Sequence, residues 1–209
     1  MLSRIPLVVK NLLLINVFFY MATALFPSLE LVGRLSLFYP ESPLFHPYQF
    51  ITYMFMHGGF THILFNMLAL WMFGSEIETY WGPKKFLTYY ILCGLGAAAL
   101  HSLISYYQIH VAGGVDLREL YGSPMLGASG AIYGILIAYG FMFPNRQLIM
   151  LFFPVPIKAK YMVIIWGVLE FTSGVAGGDN IAHFAHLGGM LTGLIIIMIW
   201  KARGKFYSQ

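Results

Sequence analysis

Six apolar stretches, at roughly 8–27, 60–81, 84–107, 127–143, 160–176 and 181–200, alternate with shorter polar segments along the chain. A helix rises ~1.5 Å per residue, so about 20 apolar residues cross a hydrocarbon layer ~30 Å thick. The pattern predicts an all-α, polytopic membrane protein with six transmembrane helices. No linker, low-complexity run or internal repeat divides residues 1–209, so a single transmembrane domain is expected. A rival reading concerns the first stretch. Arg4, Lys10, the apolar run and Ala22-Thr23-Ala24 have the layout of a cleaved signal peptide. The run is long for that purpose, however, and no polar mature segment follows it.

The connections are uneven. The longest, about 28–59, is rich in Phe38, Tyr39, Pro40, Leu44, Phe45, Tyr48 and Phe50. A structureless loop of that length is unusual in a compact domain, and its aromatic content suits a segment lying in the membrane interface. A second connection, about 108–126, contains glycine and carries Asp116, Arg118 and Glu119. Pro144, Pro154 and Pro156 bracket the loop after the fourth stretch and stop that helix.

Composition agrees with the pattern: 59% of the 209 residues are hydrophobic and 10% are charged, whereas soluble domains carry about a quarter charged residues. A net charge of +4 does not imply a nucleic-acid partner, because no Lys/Arg run of the kind that tracks phosphates is present. The placement of the charges is more informative. With a cytoplasmic N-terminus, the inner side holds Arg4, Lys10, Lys84, Lys85, Arg146, Lys158, Lys160, Lys201, Arg203 and Lys205, and the outer side only Arg34 and Arg118. This positive-inside asymmetry puts both termini in the cytoplasm, as expected for a bacterial inner-membrane protein. The lone Cys93 excludes an intramolecular disulfide framework and a cysteine-based metal site.

Ionisable and polar groups inside a bilayer are costly, so each one in a span is a candidate for function. Here they are His57, His62, Asn66, His101, Ser129, Glu170, His183 and His186. Counting from Asn66, Ser129 and His186 to the inner ends of their helices at Gly82, Pro144 and Lys201 gives depths that agree. Each lies about 22–24 Å above the inner boundary, hence roughly 6–8 Å below the outer one. Gly130 and Gly134 form one small-residue pair, and Gly189 and Gly193 another. Such pairs let helix backbones approach where no hydrophobic effect drives association, so the fourth and sixth helices are expected to touch. Close packing there brings Ser129 towards His186. His62 and Asn66 share a face at i and i+4.

A serine hydroxyl becomes a useful nucleophile when a neighbouring base takes its proton, and His186 can serve as that base. The oxyanion needs donors, which His62, Asn66 and the Ser129 backbone N–H can supply. A third member to hold the histidine has no good candidate: Asp179 lies about two turns above His186, and Glu170 is on another helix at unknown rotation. A Ser129–His186 dyad is the simpler reading, with Tyr133 stacking on the imidazole. Two rivals remain. His183 and His186, at i and i+3, have a spacing that suits zinc, but there is no His-Glu-x-x-His motif, no cysteine partner and no acidic residue beside them, and no metal or other cofactor is expected. A proton relay through Glu170 would instead suit a transporter.

Three stretches carry a family resemblance: His57-Gly-Gly-Phe-Thr-His62-Ile-Leu-Phe-Asn66, Gly127-Ala-Ser-Gly-Ala-Ile-Tyr-Gly134 and His186-Leu-Gly-Gly-Met-Leu-Thr-Gly193. Glu78-Thr-Tyr-Trp-Gly82 adds a fourth. Together they resemble the rhomboid intramembrane proteases, in the family's order, from about residue 45 to 200. The resemblance implies six core helices around a water-accessible cavity open to the outer side. It implies Ser129 as nucleophile, His186 as general base, and His62 and Asn66 as oxyanion donors, with Tyr133, His57 and Gly127 in supporting positions. The partners it implies are transmembrane protein substrates within the lipid bilayer. Spans with small or helix-breaking residues near their outer end are the expected targets, because a helical peptide bond is shielded. One departure is visible: some bacterial members carry Trp-Arg in the first outer loop, and the matching place reads Tyr48-Gln49. The six-helix layout looks like the minimal prokaryotic form, without a cytosolic domain or seventh helix.

Overall fold

The computed structural model describes residues 5–113, 121–150, 153–176 and 180–207. Asp116, Arg118, Glu119 and Asp179, singled out above, lie outside the described residues. The chain is mostly helical. Six helices dominate: α1 (Leu7–Leu25), α2 (60–81), α3 (Pro83–Tyr107), α4 (Ser129–Met142), α5 (Ala159–Ala176) and α6 (Asn180–Ala202). Helix α2 is α-helical over Phe60–Ala69 and Ser75–Trp81, with a π turn at Leu70–Gly74 between them. A second π turn, Gln108–Ala112, prolongs α3.

Four of these helices are long and apolar enough to cross a membrane: α1, α3 with its π turn, α5 and α6. Large apolar side chains on α1 and α5 remain exposed, among them Phe18, Leu25, Ile164, Leu169 and Val175. In a soluble protein that surface would be a liability, whereas against lipid it is the expected exterior.

Of the two that remain, α2 is broken by its π turn and α4 is short. It has 14 residues and is buried along most of its length, from Gly130 to Gly140. At 1.5 Å per residue it is about 21 Å long, roughly 9 Å short of a hydrocarbon core. The apolar stretch at 127–143 thus makes a helix two residues late, because the chain enters it in extended form. Leu37 and Met125 exchange backbone hydrogen bonds at 2.9 and 2.8 Å, and Gly127 N–H donates to the Tyr53 carbonyl at 2.9 Å. Ser129 is therefore the first residue of a helix that starts well inside the bundle.

Small residues set how the central helices meet, in an arrangement more specific than two facing pairs. A Cβ at Gly189 would stand 1.8 Å from the Gly130 carbonyl oxygen, so α6 lies directly on the α4 backbone. Gly130 and Gly134 turn the other way. A Cβ there would meet α3, at Ala97 Cβ and Cys93 Sγ, both at 2.4 Å. Gly189 thus serves α6 on α4, Gly130 and Gly134 serve α4 on α3, and a Cβ at Gly193 would meet Tyr89 Oη of α3 at 2.4 Å.

The end of the bundle opposite Ser129 is fastened by polar and aromatic contacts. Glu78, 3% exposed, accepts hydrogen bonds from Val8 N–H at 2.9 Å and Val9 N–H at 2.7 Å. A carboxylate at the start of α1 satisfies two of its unpaired donors and meets the positive end of the helix dipole. Gly82, at φ +77°, ends α2, and Pro83 opens α3 where its missing N–H costs nothing. Trp81 packs edge-on against Tyr89, Trp200 and Phe206, with ring centroids 5.0, 5.2 and 5.8 Å away.

The segment between α1 and α2 contains short helical turns, including Leu31–Leu35 and Gln49–Thr52. Gln49 is fully buried and ties the segment together. Its Oε1 accepts from Phe38 and His46 N–H at 3.3 and 3.1 Å, and its Nε2 donates to the Arg34 and Leu44 carbonyls at 3.2 and 3.0 Å. The Tyr48-Gln49 departure thus supplies an anchor of its own. The loop after α4 also holds a short hairpin that the apolar pattern did not suggest, β1 (Gln147–Met150) against β2 (Phe153–Lys158), pairing Gln147 with Lys158 and Leu148 with Ile157.

Candidate active site

The structure brings Ser129 and His186 together: the imidazole Nε2 lies 2.8 Å from the serine Oγ. Ser129 is held by the start of α4 and His186 by α6, one turn before the Gly189 contact. Gly127, two residues before Ser129, has φ +119°, a conformation that L side chains rarely adopt. A Cβ there would come within 2.8 Å of the His62 ring, so glycine provides both the turn and the room for that ring.

Tyr133 lies flat against His186, with centroids 4.3 Å apart and planes 16° from parallel. His62 and His57 meet edge to face at 5.0 Å. His57 is 4% exposed, and burial, followed by the neighbouring His62, pushes its pKa down to about 4. A cavity of about 250 Å³ opens beside Ser129; His62, His101, Met125, Leu126 and His186 contribute to its wall. Asn66 is not part of that wall. It is buried one turn further along α2, and its Nδ2 donates to the His62 carbonyl at 2.9 Å.

Glu170 is the residue that sequence reasoning left without a role. It is 8% exposed on α5, and three donors converge on its carboxylate. Tyr133 O–H donates to Oε1, while the Nδ1 atoms of His183 and His186 lie 2.7 and 3.0 Å from Oε2. Two expectations are corrected. His186 does have a carboxylate to hold it, and an acidic residue does stand beside His183 and His186. A buried acid within an apolar span was the available signal; which way α5 turns it could not be read from the chain. The same three residues offer ligand atoms within 4.8 Å of one another, a donor set that a divalent metal can use. His101, 7% exposed on α3, also reaches the cavity.

An imidazole within hydrogen-bond reach of a serine at a helix N-terminus has the geometry of an activated nucleophile. The first-turn N–H groups of α4 have no helical partner one turn back, and they gather partial positive charge beside the hydroxyl. A serine–histidine pair inside a helical membrane bundle is the class of site that this fold defines. A family model described as the Rhomboid domain matches residues 45–203. The chain belongs to the rhomboid family. It is 33% identical over 142 residues to Rhomboid protein 1, mitochondrial, of Saccharomyces cerevisiae, which covers 68% of this chain and 38% of that protein. It is 33% identical over 150 residues to Rhomboid protease AarA of Providencia stuartii, covering 68% and 52%. The human Presenilin-associated rhomboid-like protein, mitochondrial, is 32% identical over 155 residues, covering 71% and 38%. The chain spans about half, or less, of the length of these curated relatives. It is an integral, multi-pass membrane protein.

Proposed function

We propose that this chain is an intramembrane serine endopeptidase that cuts other membrane proteins in or near their transmembrane segments. The observation that carries the reading is the 2.8 Å approach of His186 Nε2 to Ser129 Oγ at the cavity. The relative named as a protease, AarA, supports the same class of activity.

Ser129 Oγ attacks the scissile carbonyl carbon as His186 Nε2 takes its proton. The oxyanion accepts hydrogen bonds from the His62 ring and the first backbone N–H groups of α4; Asn66, outside the cavity wall as it stands, joins them only if its amide turns from the His62 carbonyl towards the cavity. Collapse breaks the peptide C–N bond, and His186 returns the proton to the departing amine. The acyl–Ser129 ester then reacts with a water molecule that gives its proton to His186, which releases the acid and restores the serine. These steps need no metal or cofactor.

The substrate reading follows from the position of the site. A peptide bond in a helix has its carbonyl bonded and its flanks shielded, so a span must unwind before it reaches Ser129. Segments with small or helix-breaking residues near one end are the proposed targets. The charge asymmetry supports both termini on the cytoplasmic side of a bacterial inner membrane, with the site towards the opposite face. Fluorophosphonate labelling of purified protein tests the chemistry. Wild type should label and cleave a model transmembrane substrate, Ser129→Ala should do neither, and His186→Ala should label weakly. A wild type that neither labels nor cleaves refutes the reading.

A further inference from the structure

The carboxylate of Glu170 has a consequence for the proton on His186, given the serine-protease reading above. A neutral imidazole carries one N–H, and its other nitrogen accepts. If the proton sits on Nδ1, facing Glu170 Oε2 at 3.0 Å, then Nε2 presents its lone pair to Ser129 Oγ at 2.8 Å. That is the tautomer a general base requires; the other would point N–H at the serine and a lone pair at a carboxylate.

The same side chain fixes the ring from a second direction. Tyr133 stacks on the face of His186 and gives its hydroxyl hydrogen to Glu170 Oε1. One carboxylate thus holds the imidazole by its edge directly and by its face through Tyr133. With His183 on Oε2 as well, three donors meet the acid, which is what an ionised carboxylate needs inside an apolar bundle.

We infer that Glu170 is the positioning residue of a Ser129–His186–Glu170 relay, so that the site works as a triad assembled from three helices rather than as a dyad. When Ser129 gives its proton to Nε2, His186 becomes an imidazolium with both nitrogens protonated. Glu170 stays ionised and stabilises that charge through the Nδ1–H bond; no proton passes to it.

The test measures kcat and KM on a model transmembrane substrate for wild type and for Glu170→Gln, Glu170→Asp and His183→Ala, each checked as monodisperse protein in detergent. Glu170→Gln should lower kcat on the order of 100-fold or more with KM little changed, because the carboxamide neither fixes the tautomer nor balances the charge. Glu170→Asp, which keeps the charge on a shorter arm, should recover at least about a tenth of the wild-type kcat. His183→Ala, which removes one of the three donors to the acid, should fall between wild type and Glu170→Gln. Full activity in well-folded Glu170→Gln overturns the inference. So does a Glu170→Asp no better than Gln, or a His183→Ala as impaired as Glu170→Gln. If these variants stay active while Ser129→Ala is dead, the protease reading survives and only the triad falls. If wild type itself fails to label at Ser129, both fall together.

Discussion

Alanine at Gly189 is a single-methyl perturbation whose effect on chemistry follows from distances. The added carbon would lie 1.8 Å from the Gly130 carbonyl oxygen, whereas ordinary contact begins near 3.4 Å. The obstacle is backbone, not a side chain that can swing away, so α6 must retreat from α4 by about 1.6 Å. His186 sits three residues earlier, one turn along the same helix, and moves with it. The approach of Nε2 to Ser129 Oγ would widen from 2.8 Å to roughly 4 Å, beyond hydrogen-bond reach. Overpacking of this kind costs about 1–3 kcal/mol in stability, which a six-helix bundle can survive. Misplacing a reacting group by about 1 Å costs on the order of 100-fold in rate. The expected result is a folded protein, with thermal unfolding lowered by several degrees, that reacts with fluorophosphonate at least about 100-fold more slowly. Gly33→Ala, where a Cβ meets nothing within 4 Å, should match wild type in both assays. A Gly189→Ala protein that labels at the wild-type rate would show that this contact does not set the position of His186.

Tyr133→Phe keeps the ring against His186 but loses the hydroxyl bond to Glu170, so kcat should fall by no more than about tenfold. Tyr133→Ala removes both and should fall further in the same substrate assay. For His57, burial lowers the folded pKa from 6.5 to about 4, so the unfolded chain takes up the proton first as pH falls. Stability is therefore lost between pH 6.5 and about 4, by up to ~3 kcal/mol. A His57→Gln variant should show a flatter midpoint-versus-pH curve over that window in thermal denaturation. Incubation with a strong chelator should leave substrate cleavage unchanged; loss of activity restored by zinc would assign Glu170, His183 and His186 to a metal instead.

How much was legible depended on what each feature owes to lipid. A span needs about 20 apolar residues whatever surrounds it, so long helices such as α3 and α6 could be placed from the pattern alone. The meeting of Ser129 with His186 was also readable, because Gly189 has no other reason to be small. Helix rotation was not readable. Helix α5 is apolar all round, so nothing in its sequence says that Glu170 faces inward, and the dyad reading missed the carboxylate for that reason. The face taken by Gly130 and Gly134 was hidden likewise, since small residues announce a close neighbour without naming it. The late start of α4 depended on the positive φ of Gly127 and on backbone pairing with Leu37, a partner about 90 residues away in sequence.

The Glu78 clasp has a mechanical consequence for a bundle proposed to admit a segment of another membrane protein. Its two hydrogen bonds pin α1 to α2, and nearby Trp81, Tyr89, Trp200 and Phe206 lock α2, α3 and α6 into one aromatic block. Lys85 Nζ adds a bond to the Phe206 carbonyl at 3.0 Å. Near Ser129, Tyr133 on α4 and His183 and His186 on α6 all bond to one side chain of α5, that of Glu170. On the proposed function, a substrate segment that parts α5 from α4 and α6 must break the bonds of Glu170.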